Sequence, residues 1–326
     1  MIFSVTLILV LIIATLCLWV MQKRQAVEHM LLMEHGLCYL RQVCKILEHL
    51  PQHRGMASAF LNGDQGFKAK MLAMQGHIGA DIEAIDQCML GHPLPRTLTL
   101  RWEKIKRSWS SLQEEVSNIS PNDSFERHTA LITEVLNLIS DCADDMRISA
   151  HPDPDLQNMA RTTFNLLPTM IEVTGQARGI GTGAAAQGKV LTPVRIKLQF
   201  LHHRLSDTLT VSRQSIDACL NSAAMDSRIE SGTISQGFSD TQAFLDTIAQ
   251  NMLSTGTTQI SAEEYFARGS RAFDSNIRLF NAIGKVLDSD LQQRIPRLKS
   301  GLKWSGGATT ILAMLLLLAW MQLIAA

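Results

Sequence analysis

Two short segments carry the residue types best suited to chemistry. Gln52-His53-Arg54-Gly55-Met56-Ala57-Ser58-Ala59 and Gln176-Ala177-Arg178-Gly179-Ile180-Gly181-Thr182-Gly183 share one pattern: Gln, any residue, Arg, Gly, apolar, small, hydroxyl, small. A guanidinium is planar, permanently charged and presents a fork of donors, which suits a planar oxyanion held by two parallel hydrogen bonds. If the two copies converge, Arg54 and Arg178 face one cavity and repel unless an anion lies between them. The expected chemistry is binding of a small planar oxyanion such as nitrate, nitrite or a carboxylate. Ser58 and Thr182, one helical turn beyond each Arg, add hydroxyl donors. Gly55 and Gly179, with the small residues that follow, admit close approach by a backbone or ligand. The competing reading is structural: Arg54 and Arg178 pair with carboxylates such as Glu48 or Glu172 and fix the packing.

Magnitude separates sensing from storage. Nitrate has four non-hydrogen atoms, and at about 1.5 kcal/mol per atom the ceiling is about 6 kcal/mol, a Kd of tens of micromolar.

Other constellations fail on context. Gly183-Ala184-Ala185-Ala186-Gln187-Gly188-Lys189-Val190 nearly spells a phosphate-binding loop, but Val190 stands where Ser or Thr must reach magnesium, and no strand precedes it. Gly179, Gly181 and Gly183 fail as a dinucleotide fingerprint for the same want of a strand. His49 and His53, with Cys44 and Glu48, could share a helical face as metal ligands, but Pro51 disturbs their spacing, and no metal or cofactor is expected. No H-E-x-x-H, G-x-S-x-G or C-x-x-C occurs, so no enzyme is expected. Met30, Met33, Met71 and Met74 sit at core-like spacing.

The elements that must position the arginines read as helices throughout. Val27, Met30, Leu31, Leu37, Leu40, Val43, Ile46, Leu47 and Leu50 recur at steps of three and four, the signature of one buried face. Breaks fall at Gly91-His92-Pro93-Leu94-Pro95, Ile119-Ser120-Pro121-Asn122-Asp123 and His151-Pro152-Asp153-Pro154. Thr192-Pro193 reads as N-cap and N1, and Ser261 to Glu264 as a capping box. Eight helices are expected, at roughly 25–53, 65–90, 97–118, 124–149, 155–187, 193–222, 226–252 and 262–298, each boundary carrying the few-residue tolerance of pattern reading. That number with short connections predicts an all-α fold of two antiparallel four-helix bundles, residues 25–150 and 151–300. The repeated motif makes the bundles related, meeting through equivalent helices.

The ends have a different composition. The chain holds 30 Lys plus Arg and 30 Asp plus Glu, all of them from Lys23 to Lys303. Uncharged stretches of this length predict transmembrane helices at 1–22 and 304–326. The first lacks the basic n-region and the cleavage site of a signal peptide, so a retained anchor is expected. Lys23, Arg24, Arg294, Arg297, Lys299 and Lys303 flank the spans, which predicts a two-span protein of the inner membrane with its middle on the cytoplasmic side, the periplasmic side being the alternative. Cys38, Cys44, Cys88, Cys142 and Cys219, an odd set without framework spacing, suit a reducing compartment. Zero net charge argues against a nucleic-acid binder that relies on a basic surface.

The segment Leu47 to Leu61, with Gln176 to Gly183 and Gly188-Lys189-Val190-Leu191-Thr192, resembles the nitrate- and nitrite-sensing (NIT) domain over about residues 40–290. The resemblance implies a pair of four-helix bundles with the anion between Arg54 and Arg178. The chain departs from the family pattern at Pro51 and at His53, where an acidic residue is usual. Family members are usually fused to an output module, and none is read here. The expected partners are therefore nitrate or nitrite, membrane lipid, a separate signalling protein and a second copy of the chain as a homodimer, with no nucleic acid. The expected mechanism is repacking of one bundle against the other. A ligand-free scaffold module of a membrane complex is the alternative.

Overall fold

The structure, a computed structural model, describes residues 2–91, 94–145, 154–220, 231–254 and 256–325. They form α1 (Ile2–Leu61), α2 (Phe67–Gly91), α3 (Arg96–Glu115), α4 (Pro121–Asp145), α5 (Pro154–Arg161), a π-helical turn (Thr162–Leu166), α6 (Leu167–Ala186), α7 (Thr192–Leu220), α8 (Ser231–Met252) and α9 (Ala262–Ala325). Among the described residues there is no strand, so the all-helical expectation holds. A single β-bridge joins Lys189 to Thr257. There Gly188 and Gly256 take positive φ (66° and 79°), which lets the two connections exchange backbone hydrogen bonds.

The chain divides into two units, residues 36–287 and residues 1–35 with 288–326. In the larger unit the apolar periodicity is borne out: Leu37, Leu40, Val43, Ile46, Leu47 and Leu50 of α1 are all buried. They share the core of the first half with Ile78 and Ile85 of α2, Trp102 and Ile105 of α3, and Ile132 and Val135 of α4. Pro51 lies inside α1 without ending it. In the second half α7 packs on α5, α6 and α8, and α4 meets α6 across the halves.

Several helical boundaries differ from expectation: the first helix runs on to Leu61 past the expected 53, and the last to Ala325 past the expected 298. The helix expected at 155–187 is interrupted by the π-helical turn, because Pro168 near the start of α6 has no N–H to give the preceding turn, which widens. α7 already begins at Thr192, one residue ahead of the expected N1. The capping residue of α9 is Ser261 as expected, its hydroxyl accepting from the Glu264 N–H at 3.1 Å. The turns expected at 92–93 and 151–153, and the helix ends expected at 149, 222 and 226, lie outside the described residues.

The smaller unit is helical, with Arg24 paired to Glu28 at 2.9 Å. The expectation of two transmembrane helices is corrected here. Among the described residues no helix is long and apolar enough to cross a membrane. This overturns the two-span inner-membrane placement. The uncharged ends belong to helices of 60 and 64 residues whose described parts include Lys23, Arg24 and Glu28. For 1–10, for most residues from 302 onward and for the flanking Arg294, Arg297, Lys299 and Lys303, the structure describes no side chain.

Candidate functional site

Arg54 sits on the buried face of α1, 2% exposed. Its Nη1 donates to Glu172 Oε1 at 2.7 Å and its Nη2 to Oε2 at 3.1 Å, a two-pronged pair with α6. Nη1 also donates to Thr129 Oγ1 of α4 at 2.9 Å, and the guanidinium lies 4.9 Å from the Phe125 ring centre. Gln176 Nε2 supplies Glu172 with a further bond at 2.7 Å. Gly175 makes this approach possible: a Cβ there would stand 3.1 Å from Arg54 Nη2.

Arg178 follows Gly175 by three residues on α6, a rise of about 4.5 Å. It is 7% exposed, yet its one hydrogen-bond partner among the described residues is a hydroxyl, Ser270 Oγ of α9 at 3.0 Å. Its guanidinium lies between the rings of Phe266 and Phe273, 5.1 and 4.7 Å from their centres. Gly269 clears its stem, since a Cβ there would stand 2.8 Å from Arg178 Cγ. Burial, and then the positive charge of Arg54, pull the Arg178 pKa down to about 10, while Asp274 and Glu172 oppose the shift. Two arginines and the Glu172 carboxylate thus share this buried face, with the Asp274 carboxylate within electrostatic reach of Arg178.

The other residues expected at the site are placed differently. Thr182 donates its hydroxyl to the Arg178 carbonyl at 2.7 Å, a bond within its own helix. The Ser58 carbonyl accepts from Asn62, and no hydrogen bond joins its hydroxyl to Arg54 or Arg178. Gly55 has open space where a Cβ would be. Gly179 is exposed but faces Phe125, 3.1 Å from a Cβ position. The glycines that clear space for the arginines are Gly175 and Gly269, and Gly181 clears it for Tyr265.

Sequence reasoning missed the aromatic and hydroxyl clasp, although a second repeat announces it. Phe125-Glu126-Arg127-His128-Thr129 on α4 and Phe266-Ala267-Arg268-Gly269-Ser270 on α9 share Phe, x, Arg, x, hydroxyl. In each copy the Phe and the hydroxyl grip the arginine of the first motif in the same half. The middle arginine clips a hydroxyl on the preceding helix: Arg127 to Ser111 at 2.9 Å, Arg268 to Thr247 at 3.1 Å.

Beside Arg54 lies a second buried polar group. His53 Nδ1 and His128 Nε2 are 2.7 Å apart, His128 Nδ1 is 2.6 Å from the Ser124 carbonyl, and Gln75 Nε2 is 3.3 Å from His53 Nε2. A carbonyl only accepts, so His128 carries its proton on Nδ1, His53 donates to His128, and Gln75 donates to His53. Both imidazoles are neutral, and burial pushes them down to about 4 and about 3. His49 turns to Asp81 at 2.5 Å, and among the described residues no group of three or more His, Cys, Asp or Glu is placed to hold a metal.

Fold and site together define an all-helical protein with two buried arginines, each held by a Phe ring and a hydroxyl. The profile of the nitrate and nitrite sensing family matches residues 45–292, and the chain belongs to that family. Membership indicates a sensory role. In fold the chain is similar to the solved structure of the NasR transcription antiterminator, at a TM-score of 0.63 and 14% identity, over 91% of this chain and 82% of that one. No curated protein sequence matches.

Proposed function

We propose that the chain senses nitrate or nitrite by taking one such anion onto Arg178 beside Arg54. The observation that carries this reading is Arg178 itself, a buried guanidinium whose hydrogen-bond partner is a hydroxyl. A buried charge with no carboxylate hydrogen-bonded to it is costly, and an entering monovalent oxyanion lowers that cost. The shape of the donor group favours a planar anion: a guanidinium fork matches nitrate or nitrite better than tetrahedral sulfate. The two aromatic faces hold the guanidinium in one plane, and Ser270 offers the ligand a hydroxyl.

The two halves, residues 25–150 and 151–300, act in this reading as the two bundles. An anion that binds only one arrangement of α1 against α6 shifts the population toward it. The change passes to a separate signalling protein or to a second copy of the chain. The full chain, titrated calorimetrically with nitrate, nitrite, sulfate and chloride, tests this. Binding of nitrate or nitrite in the micromolar range, with sulfate and chloride inert, is expected. Equal responses to all four, or none, overturn it.

One observation favours the scaffold alternative: Arg54 already has Glu172, as a purely structural arginine would. That reading requires Arg178 also to be structural and predicts no anion response.

A further inference from the structure

Helices α1 and α2 bring together two thiols that the anion site does not use. Cys38 and Cys88, 50 positions apart in sequence, place their sulfurs 3.3 Å apart, with the Cys88 S–H donating to Cys38. Cys38 is exposed and Cys88 half-buried. Cys38 is the sulfur that solvent and a small oxidant reach first, so Cys38 is the nucleophile of the pair. Burial and the neighbouring Cys38 hold the Cys88 proton in place, raising its pKa to about 11, while the Arg41 guanidinium lends positive charge to the pair. Bonded sulfurs sit about 2.05 Å apart, so a small closure joins them. The remaining thiols of this unit are poorer candidates: Cys44, Cys142 and Cys219 are buried, and burial raises the pKa of each.

We infer that Cys38 and Cys88 form a site of oxidative modification at which a hydroperoxide installs a disulfide between α1 and α2. The Cys38 thiolate attacks the terminal peroxide oxygen. The O–O bond breaks, and the leaving oxygen takes up a proton as water or an alcohol, leaving Cys38 as a sulfenic acid. The Cys88 sulfur then attacks the Cys38 sulfur, the S–O bond breaks, and the hydroxyl leaves as water with the Cys88 proton. Two thiols are oxidised by two electrons and one hydroperoxide is reduced by two. The bond closes a loop that contains Arg54, so it ties the helix bearing Arg54 to its neighbour.

The test is to treat the full-length folded protein with hydrogen peroxide, block the remaining thiols by alkylation, and map the peptides by mass. Of the six cysteines, Cys38 and Cys88 are expected to lose alkylation together and to appear as one linked peptide that dithiothreitol releases. In Cys88→Ser, dimedone captures Cys38 as the sulfenic acid. In Cys38→Ser, Cys88 stays alkylatable. Cys17, also exposed, is the accessible control. Linkage through other cysteines, cross-links between chains through Cys38, unchanged oxidation of Cys88 in Cys38→Ser, or oxidation of Cys17 while the pair stays reduced would each overturn the inference.

Discussion

Arg54 of α1 and Glu172 of α6 form a buried, two-pronged ion pair, and the carboxylate occupies the place on that guanidinium which a planar oxyanion would take. Glu48 precedes Arg54 by the same step that Glu172 precedes Arg178. A symmetric duplication would pair Arg178 with Glu48, yet Arg178 has Ser270 instead. The two arginines are clasped alike by a Phe and a hydroxyl, with Phe273 added at Arg178, but only Arg54 is hydrogen-bonded to a carboxylate.

Glu172→Gln follows directly. Removing one partner of a buried ion pair costs about 3–5 kcal/mol, because the other charge is left uncompensated. Nitrate or nitrite, similar in shape to the lost carboxylate, is expected to return much of that stability. Thermal unfolding of the variant should therefore start lower than wild type and rise more steeply with nitrate. A variant that is destabilised and indifferent to nitrate would show that Arg54 lies outside the ligand's reach.

Arg178→Met separates sensing from structure with the opposite sign. A buried charge paired only to a hydroxyl opposes folding, and Met keeps much of its length between Phe266 and Phe273 without the charge. The anion-free variant is expected to unfold at a temperature equal to or above wild type and to lose its nitrate response. Were Arg178 a structural residue, the variant would be less stable with and without nitrate alike.

The arginines, their helices and the apolar core were legible in the sequence because each is written locally, in a repeated motif or a period of three and four. The partner of Arg54 was legible only as one of two alternatives, since Glu172 lies 118 positions away and only the packed structure selects it. The clasp by Phe125 with Thr129 and Phe266 with Ser270 was written as a second repeat, too short to stand out before its residues were seen to converge. The expected spans at 1–22 and 304–326 rest on runs whose side chains are largely not described, and no described helix is long and apolar enough to cross a membrane. The π-helical turn went unread because Pro168, one residue inside α6, resembles an ordinary helix start.

The buried His53 and His128 make stability depend on pH. Both folded-state pKa values, about 4 and about 3, lie below the usual imidazole value of about 6.5. Between these limits the unfolded chain takes up protons that the folded chain refuses, so stability is full above about pH 6.5 and declines as the pH falls toward 4. Thermal unfolding from pH 7.5 to 4.5 should show this decline, and His128→Gln should flatten part of it. His49, its pKa raised by the hydrogen bond to Asp81, acts in the opposite sense, so the readout is the difference between wild type and His128→Gln; identical profiles would mean that the buried imidazoles are reachable by solvent protons in the folded state.

The glycines of the repeated motif differ in what they do, and alanine distinguishes them. At Gly181 a Cβ would stand 2.2 Å from the Tyr265 ring, whose hydroxyl is held at 3.1 Å by the Ala177 carbonyl and whose edge meets Phe244. The ring cannot retreat without losing both contacts, so Gly181→Ala is expected to cost about 1–3 kcal/mol or more. At Gly55 a Cβ would meet nothing within 4 Å, and the position lies inside α1. Gly55→Ala should stabilise the chain by about 0.5–1 kcal/mol through lower unfolded-state entropy. Chemical denaturation of both variants reads the two signs side by side. Equal destabilisation would instead assign Gly55 a close-approach role that the open space around it does not call for.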